Sequence, residues 1–176
     1  MSENTKKGER TRRVAFLMGS DSDLPVLEGA FEILDELQIG YHVRVLSAHR
    51  TPDDTVAFVR EAKQNGVQVL VGAAGMAAHL AGTLAAHTRL PVIGIPIDSG
   101  PYHGHDALLS TVMMPPGIPV GTVGIGKSGA KNAALFAARI LALGDPELAH
   151  RLELRTESER RRVLATDAEV RKKYEC

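Results

Sequence analysis

Short apolar runs alternate with stretches whose apolar positions recur at helical spacing. Residues 14–18, Val14-Ala15-Phe16-Leu17-Met18, are continuously apolar, the pattern of a central parallel strand buried on both faces. Leu24, Leu27, Phe31, Leu34 and Leu37 follow at helical spacing and predict an amphipathic helix. Residues 41–46 alternate and are rich in β-branched and aromatic side chains, so a second strand is expected there. Val56, Val59, Arg60 and Lys63 suit a one-sided helix that stops near Asn65-Gly66. Further strands are expected over 67–71, 91–97 and 120–125, with Gly94 and Pro96 letting the second of these bend. A short helix capped by Asp106 is expected over 107–113, and an Ala-rich helix over 128–143. Between those two, Met114-Pro115-Pro116-Gly117-Ile118-Pro119 breaks regular structure. Gly144 and Asp145-Pro146 then close one helix and open a charged one that keeps Leu148, Leu152 and Val163.

Strand and helix in repeated alternation predict an α/β fold, three layers αβα, with an open parallel sheet and right-handed crossovers. Strand order does not follow from the pattern; the flavodoxin-like order 2-1-3-4-5 is one option. The expected organisation is an N-terminal arm over 1–13, an α/β domain over 14–144 and a helical extension over 145–176. That extension has too little apolar face to stand alone, so it should pack on the domain or on a neighbouring subunit.

Composition narrows the function classes. At 176 residues, 44% hydrophobic and 24% charged, the chain reads as one globular domain with a real core. Its 21 basic residues balance 21 acidic ones, so no nucleic-acid or membrane partner is expected. Aromatics at 4%, with no Trp, argue against a base-stacking surface. The single cysteine, Cys176, permits neither an intrachain disulfide nor a cysteine metal cluster and fits a reducing cytoplasm. The first 13 residues are polar without an apolar h-region, so no secretory signal is expected. The most apolar stretch, 67–86, is mostly Ala and Gly and carries His79; it reads as core, not as a membrane span.

The candidate chemistry lies on strand-to-helix loops, where α/β sheets place ligands. Ser47-Ala48-His49-Arg50-Thr51-Pro52 follows the second strand, with Thr51 as candidate N-cap and Pro52 at the first helical position. His49 can move a proton near neutral pH, and Arg50 beside it can grip an anion. Gly19-Ser20-Asp21-Ser22-Asp23 ends the first strand, and its N–H groups with Ser20 and Ser22 could hold a phosphate. The plainer explanation is that Ser22 or Asp23 is only an N-cap. Gly72-Ala73-Ala74-Gly75-Met76-Ala77-Ala78-His79 lets a ligand or another backbone come close. His79 taken alone equally fits a hydrogen-bonded helix-packing histidine, and His87 a helix C-terminal dipole partner. Residues 98–106 carry His103, His105 and Asp106, but His-x-His is a weak metal signal, so no metal is expected and a substrate-covering loop fits better. Gly121-Thr122-Val123-Gly124-Ile125-Gly126-Lys127-Ser128 matches the pattern G-x-x-x-x-G-K-[ST]. Its apolar run lies inside the motif, so a turn into the Ala-rich helix is the ordinary explanation, although Lys127 could face a ligand.

Several of these stretches occur together in one family. Met18-Gly19-Ser20-Asp21-Ser22-Asp23, Ser47-Ala48-His49-Arg50-Thr51-Pro52, Ala77-Ala78-His79-Leu80, Met114-Pro115-Pro116-Gly117-Ile118-Pro119-Val120-Gly121-Thr122 and Ile125-Gly126-Lys127-Ser128-Gly129-Ala130-Lys131-Asn132-Ala133-Ala134 carry the likeness. Over about residues 14–150 the chain resembles the class I N5-carboxyaminoimidazole ribonucleotide mutases of purine biosynthesis. The resemblance implies a flavodoxin-like fold, a homo-octamer, and a metal-free, biotin-free active site between subunits that needs no cofactor. It implies that His49 is catalytic and that Ser20, Ser22, Asp23 and Arg50 bind a small phosphorylated substrate. The serine loop and Arg50 would take the 5′-phosphate and Asp23 the ribose. Ser47, Gly75 and His79 complete the implied substrate site. Ala73 and Met76 stand where many members have glycine, and Ala81 where many have proline. The direct carboxylase branch, which takes free carbon dioxide, tends to lack the Ala77-Ala78-His79-Leu80 motif. A carboxylating enzyme of another nucleotide ring, or a non-catalytic phosphate-binding module on the same sheet, are the remaining alternatives.

Overall fold

The computed structural model describes residues 10–175. Most of the expected N-terminal arm, and Cys176, lie outside the described residues. The elements are β1 (Arg12–Met18), α1 (Leu24–Glu36), β2 (Gly40–Val45), α2 (Pro52–Ala62), β3 (Val69–Gly75), α3 (Leu80–Ala86), β4 (Val92–Ile97), α4 (His105–Val112), β5 (Gly121–Thr122), α5 (Gly126–Ala142) and α6 (Pro146–Tyr174). A single 3-10 turn, Asp21–Asp23, leads into α1. The strands form one sheet in the order β2-β1-β3-β4-β5, every pairing parallel. This is the flavodoxin-like α/β arrangement.

The alternation of side chains across β1 shows why its whole apolar run is needed. Val14, Phe16 and Met18 face a core shared with α1 and α5, while Ala15 and Leu17 face one shared with α2 and α3. All of them are buried, and each large side chain contributes roughly 1.5–3 kcal/mol. On the first face, Ala130, Ala133, Ala134, Ala137 and Ala138 are the inward residues of α5. On the opposite face Gly94 makes room for α4, since an added Cβ would lie 2.3 Å from Thr111 Cγ2.

Several boundaries differ from the sequence pattern. β1 begins at Arg12, inside the stretch expected as an arm, because Arg13 is anchored: its Nη1 lies 2.5 Å from Asp145 Oδ2. β3 starts later than expected and runs through Gly75, using small residues that carry no apolar signal. β5 shrinks to Gly121–Thr122 at the sheet edge, within the G-x-x-x-x-G-K-[ST] stretch, and α5 opens at Gly126. No open loop spans that motif, and Lys127 is an exposed residue of the first turn of α5. α4 opens at His105 with Gly104 at the N-cap, so Asp106 is not the cap; its Oδ1 accepts from the adjacent Ala107 N–H at 2.9 Å.

α6 is bound to the domain at its start only. Asp145 caps it by accepting from Leu148 N–H at 3.0 Å, and Leu148 is fully buried in the α1–α5 core. Arg151 Nε donates to the Leu37 carbonyl at 2.9 Å, and Arg155 pairs with Glu36. Beyond Glu157 every described residue of the helix is exposed. No helix among the described residues is long and apolar enough to cross a membrane.

Candidate active site

The sheet order reverses direction between β1 and β3, and a crevice opens there beyond the carboxyl ends of the strands. Three loops wall it: the one leaving β1, the one leaving β2 and the one leaving β3. They enclose a cleft of about 380 Å³ lined by Ser20, Ser22, Asp23, Ser47, His49, Arg50, Gly75 and His79, among others. The candidate residues, dispersed over the sequence from 20 to 79, therefore share one wall system.

Each loop is pinned by its own hydrogen bonds. After β1, Ser20 N–H donates to Asp23 Oδ2 at 3.1 Å, while Ser20 Oγ accepts from Ser22 N–H at 3.3 Å. This reciprocal capping box makes Ser20 the N-cap of the 3-10 turn, while Asp23 holds the N-cap position of α1, one of the two positions expected, without a side-chain cap bond there. Ser22 Oγ donates to Ser20 Oγ at 2.9 Å, which gathers both hydroxyls at the start of the helical segment. Asp23 is buried at the base of the loop, and that burial raises its carboxyl above the usual range. The Ser20 N–H and the Arg50 charge oppose the rise, and Asp21 adds to it.

After β2, Ser47 Oγ accepts from the N–H groups of His49 and Arg50, at 3.3 and 3.1 Å. Thr51 sits at the N-cap of α2 but makes no side-chain cap. Its Oγ1 instead accepts from Ser47 N–H at 2.9 Å, closing the turn that presents the His-Arg pair. Pro52 occupies the first helical position as expected, with Asp53 and Asp54 behind it. Arg50 Nη2 donates to the Gly19 carbonyl, so the guanidinium bridges the β1 and β2 loops. Its charge thus lies beside the Ser20–Ser22 hydroxyls, a combination suited to an anion.

After β3, two short turns, Met76 carbonyl to Ala78 N–H and Ala77 carbonyl to His79 N–H, each 2.9 Å, swing His79 back toward β2. His79 immediately precedes α3 and is exposed; it is not a helix-packing residue. Its Nδ1 lies 2.9 Å from His49 Nε2, with the rings nearly perpendicular at 83°. One nitrogen of that contact must carry the hydrogen and the other must accept it, so the tautomers of the two rings are linked. An arrangement of this kind can take a proton at one atom of a ligand and return one at another.

Ser99, at the end of β4, also lines the cleft, as does Met76; the sequence pattern singled out neither as a site residue. Ser99 explains Gly75: a Cβ there would lie 1.7 Å from Ser99 Oγ. The signal for Ser99 was its place at a strand's carboxyl end. The two histidines of that loop lie against other residues of the same loop. His105 Nδ1 lies 3.0 Å from the Tyr102 carbonyl and His103 Nδ1 lies 4.0 Å from Asp98, and neither histidine reaches the cleft. His87 ends α3, as its spacing suggested. Among the described residues, no group of three or more His, Cys, Asp or Glu is gathered in a way that could hold a metal ion.

The family model for AIR carboxylase matches residues 13–162. The N5-carboxyaminoimidazole ribonucleotide mutase of Escherichia coli (strain K12) is 54% identical over 140 residues, which is 80% of this chain and 83% of that protein. The protein of the same name from Saccharolobus solfataricus is 48% identical over 158 residues, 90% of this chain and 99% of that one. The crystal structure of Treponema denticola PurE superposes with a TM-score of 0.81 at 31% identity, covering 90% of this chain and 98% of that one. With a match of this extent across the sheet and all three loops, the chain belongs to the AIR carboxylase family.

Proposed function

We propose that this chain is a mutase of purine biosynthesis that acts on N5-carboxyaminoimidazole ribonucleotide. It moves the carboxylate from the exocyclic nitrogen to ring carbon C4 and gives 4-carboxyaminoimidazole ribonucleotide. The observation that carries the reading is the 2.9 Å contact between His49 Nε2 and His79 Nδ1 in a cleft also lined by Arg50 and the Ser20 and Ser22 hydroxyls. The names of the relatives, at about half identity over most of the chain, support the same reaction.

In this reading Arg50, Ser20 and Ser22 bind the 5′-phosphate, with Arg50 suited to paired oxygens. Asp23 accepts from a ribose hydroxyl, and Ser47 holds the His-Arg loop in place. The carbamate loses carbon dioxide: the C–N bond breaks, its electron pair stays on nitrogen, and His49 supplies the proton. The electron-rich C4 then attacks the retained carbon dioxide, and His49 recovers a proton from C4. Such transfers typically contribute 10²–10⁴-fold. His79 is a positioning residue, fixing which His49 nitrogen carries hydrogen. Gly75 and its small neighbours let the planar ring lie against the end of β3.

The working protein is a cytoplasmic homo-octamer with the cleft completed between subunits. Leu109 and Val112 of α4 and Met113 just after it are 61%, 48% and 77% exposed, apolar surface that suits burial against another copy. The outer half of α6 is an extension that packs on a neighbouring subunit. Product formation from the carbamate, with and without added bicarbonate, tests the reaction. The mutase makes product at the same rate in both; a requirement for bicarbonate together with the uncarboxylated aminoimidazole would assign the direct carboxylase instead.

A further inference from the structure

The hydroxyls assigned to the phosphate are already engaged within the loop that presents them. A serine hydroxyl carries one proton and can accept twice. Ser20 Oγ lies 3.2 Å from Asp21 Oδ1, 2.9 Å from Ser22 Oγ and 3.3 Å from the Ser22 nitrogen. An ionised carboxylate only accepts, so the Ser20 proton goes to Asp21. That fixes the direction of the whole chain. Ser22 Oγ gives its proton to Ser20 Oγ, which also accepts from the Ser22 N–H. Both hydroxyl protons, and both acceptor positions of Ser20, are therefore committed inside the loop. Asp21 is exposed and lines a second hollow, of about 300 Å³, which shares Gly19, Ser20, Ser47 and Arg50 with the cleft. Asp21 itself is not among the cleft's lining residues, so the Ser20 proton is held by a group outside the cleft wall.

We propose that Asp21 is a competitor built into the phosphate site: its carboxylate holds the Ser20 hydroxyl in the empty loop, and a 5′-phosphate must take that hydrogen bond from it to bind. The inference rests on the assignment of Ser20 to the phosphate in the mutase reading above. No proton changes owner in the exchange; the Ser20 O–H turns from one anionic acceptor to another, and the Asp21 carboxylate is left to water. The phosphate wins because it also engages Arg50, but its gain is reduced by the bond it displaces. A ligand without the phosphate leaves the Ser20–Asp21 bond in place and is unaffected. Asp21 thus sets how tightly the loop holds phosphorylated substrate and product alike. Because the carboxylate is exposed and hydrated, its hold is modest.

The test is titration calorimetry of the full-length protein with 4-carboxyaminoimidazole ribonucleotide and with its 5′-dephosphorylated nucleoside. Asp21→Ala should tighten the nucleotide at least about threefold and leave the nucleoside unchanged. Adding Ser20→Gly should abolish that gain, because no hydroxyl remains to be released. Glycine is tolerated at an N-cap, and Asp23 still accepts from the N–H of residue 20, so the double variant should fold. Unchanged nucleotide affinity in Asp21→Ala would overturn the proposal. So would an equal gain with and without the Ser20 hydroxyl, since Asp21 would then act only as a nearby like charge. Ser20→Gly alone should weaken the nucleotide more than the nucleoside; equal losses would overturn the assignment of Ser20 to the phosphate, and this inference with it.

Discussion

Gly75→Ala probes the packing that shapes the cleft, and its cost follows from three distances. The new Cβ would sit 1.7 Å from Ser99 Oγ, 3.0 Å from Ser99 Cβ and 3.3 Å from the Ile97 carbonyl. Rotating the Ser99 hydroxyl removes the first conflict but not the second, so the end of β3 or β4 must also shift by a few tenths of an ångström. Overpacking of this kind typically costs about 1–3 kcal/mol. Equilibrium urea unfolding, at one fixed protomer concentration, measures it. Ser99→Ala added to Gly75→Ala removes the hydroxyl and should recover part of the loss. Ser99→Gly also removes the Cβ and should recover most of it. Because residues 75 and 99 both line the cleft, the single variant should also raise KM for the nucleotide, and the double variants should reverse that rise. Additivity within about 0.3–0.5 kcal/mol across the cycle would refute the steric account.

Two further outcomes follow from charges in the site. Burial raises the Asp23 carboxyl in the folded protein, so the folded state binds that proton more tightly than the unfolded chain. The ionised group therefore costs stability above its folded value, and the cost fades as pH falls through that value toward the ordinary carboxylate range. Asp23→Asn should accordingly gain stability relative to wild type at neutral pH and lose that advantage on acidification, read by urea unfolding across a pH series; a gap independent of pH refutes it. Arg50→Ala should weaken a 5′-phosphorylated ligand by about 1.5–3 kcal/mol, the usual worth of a hydrogen bond to a charged group. The dephosphorylated analogue should lose far less in the same titration calorimetry, and equal losses would remove Arg50 from the phosphate site.

The parts of the molecule legible in the sequence were those with a clear period or a local turn. The run Val14-Ala15-Phe16-Leu17-Met18 reads as a strand buried on both faces, and the sheet places it in the interior, between β2 and β3. The Ser47–Thr51 turn was marked by Pro52 and two acidic residues, so the His49-Arg50 pair was visible as a loop pair. Small residues hid the rest: Ala73, Ala74 and Gly75 look like a loop yet form the end of β3, because pairing with β4 supplies their hydrogen bonds. The run 120–125 reads as a full strand but pairs only at Gly121 and Thr122, since an edge strand lacks a second neighbour. Contacts between distant segments leave no local trace at all. His79 gave no sign that it would meet His49, nor Ser99 that it would set the size allowed at residue 75.

Substituting His49 by asparagine and measuring binding and turnover together tests the central claim most directly. Asparagine keeps a polar side chain on the Ser47–Thr51 turn but cannot exchange a proton near neutral pH. Calorimetry should show nucleotide affinity close to wild type, because the anion-binding groups are on Arg50, Ser20 and Ser22. Conversion of the carbamate to the C4 carboxylate should fall by at least about 10². Turnover at the wild-type rate with His49→Asn would contradict the account.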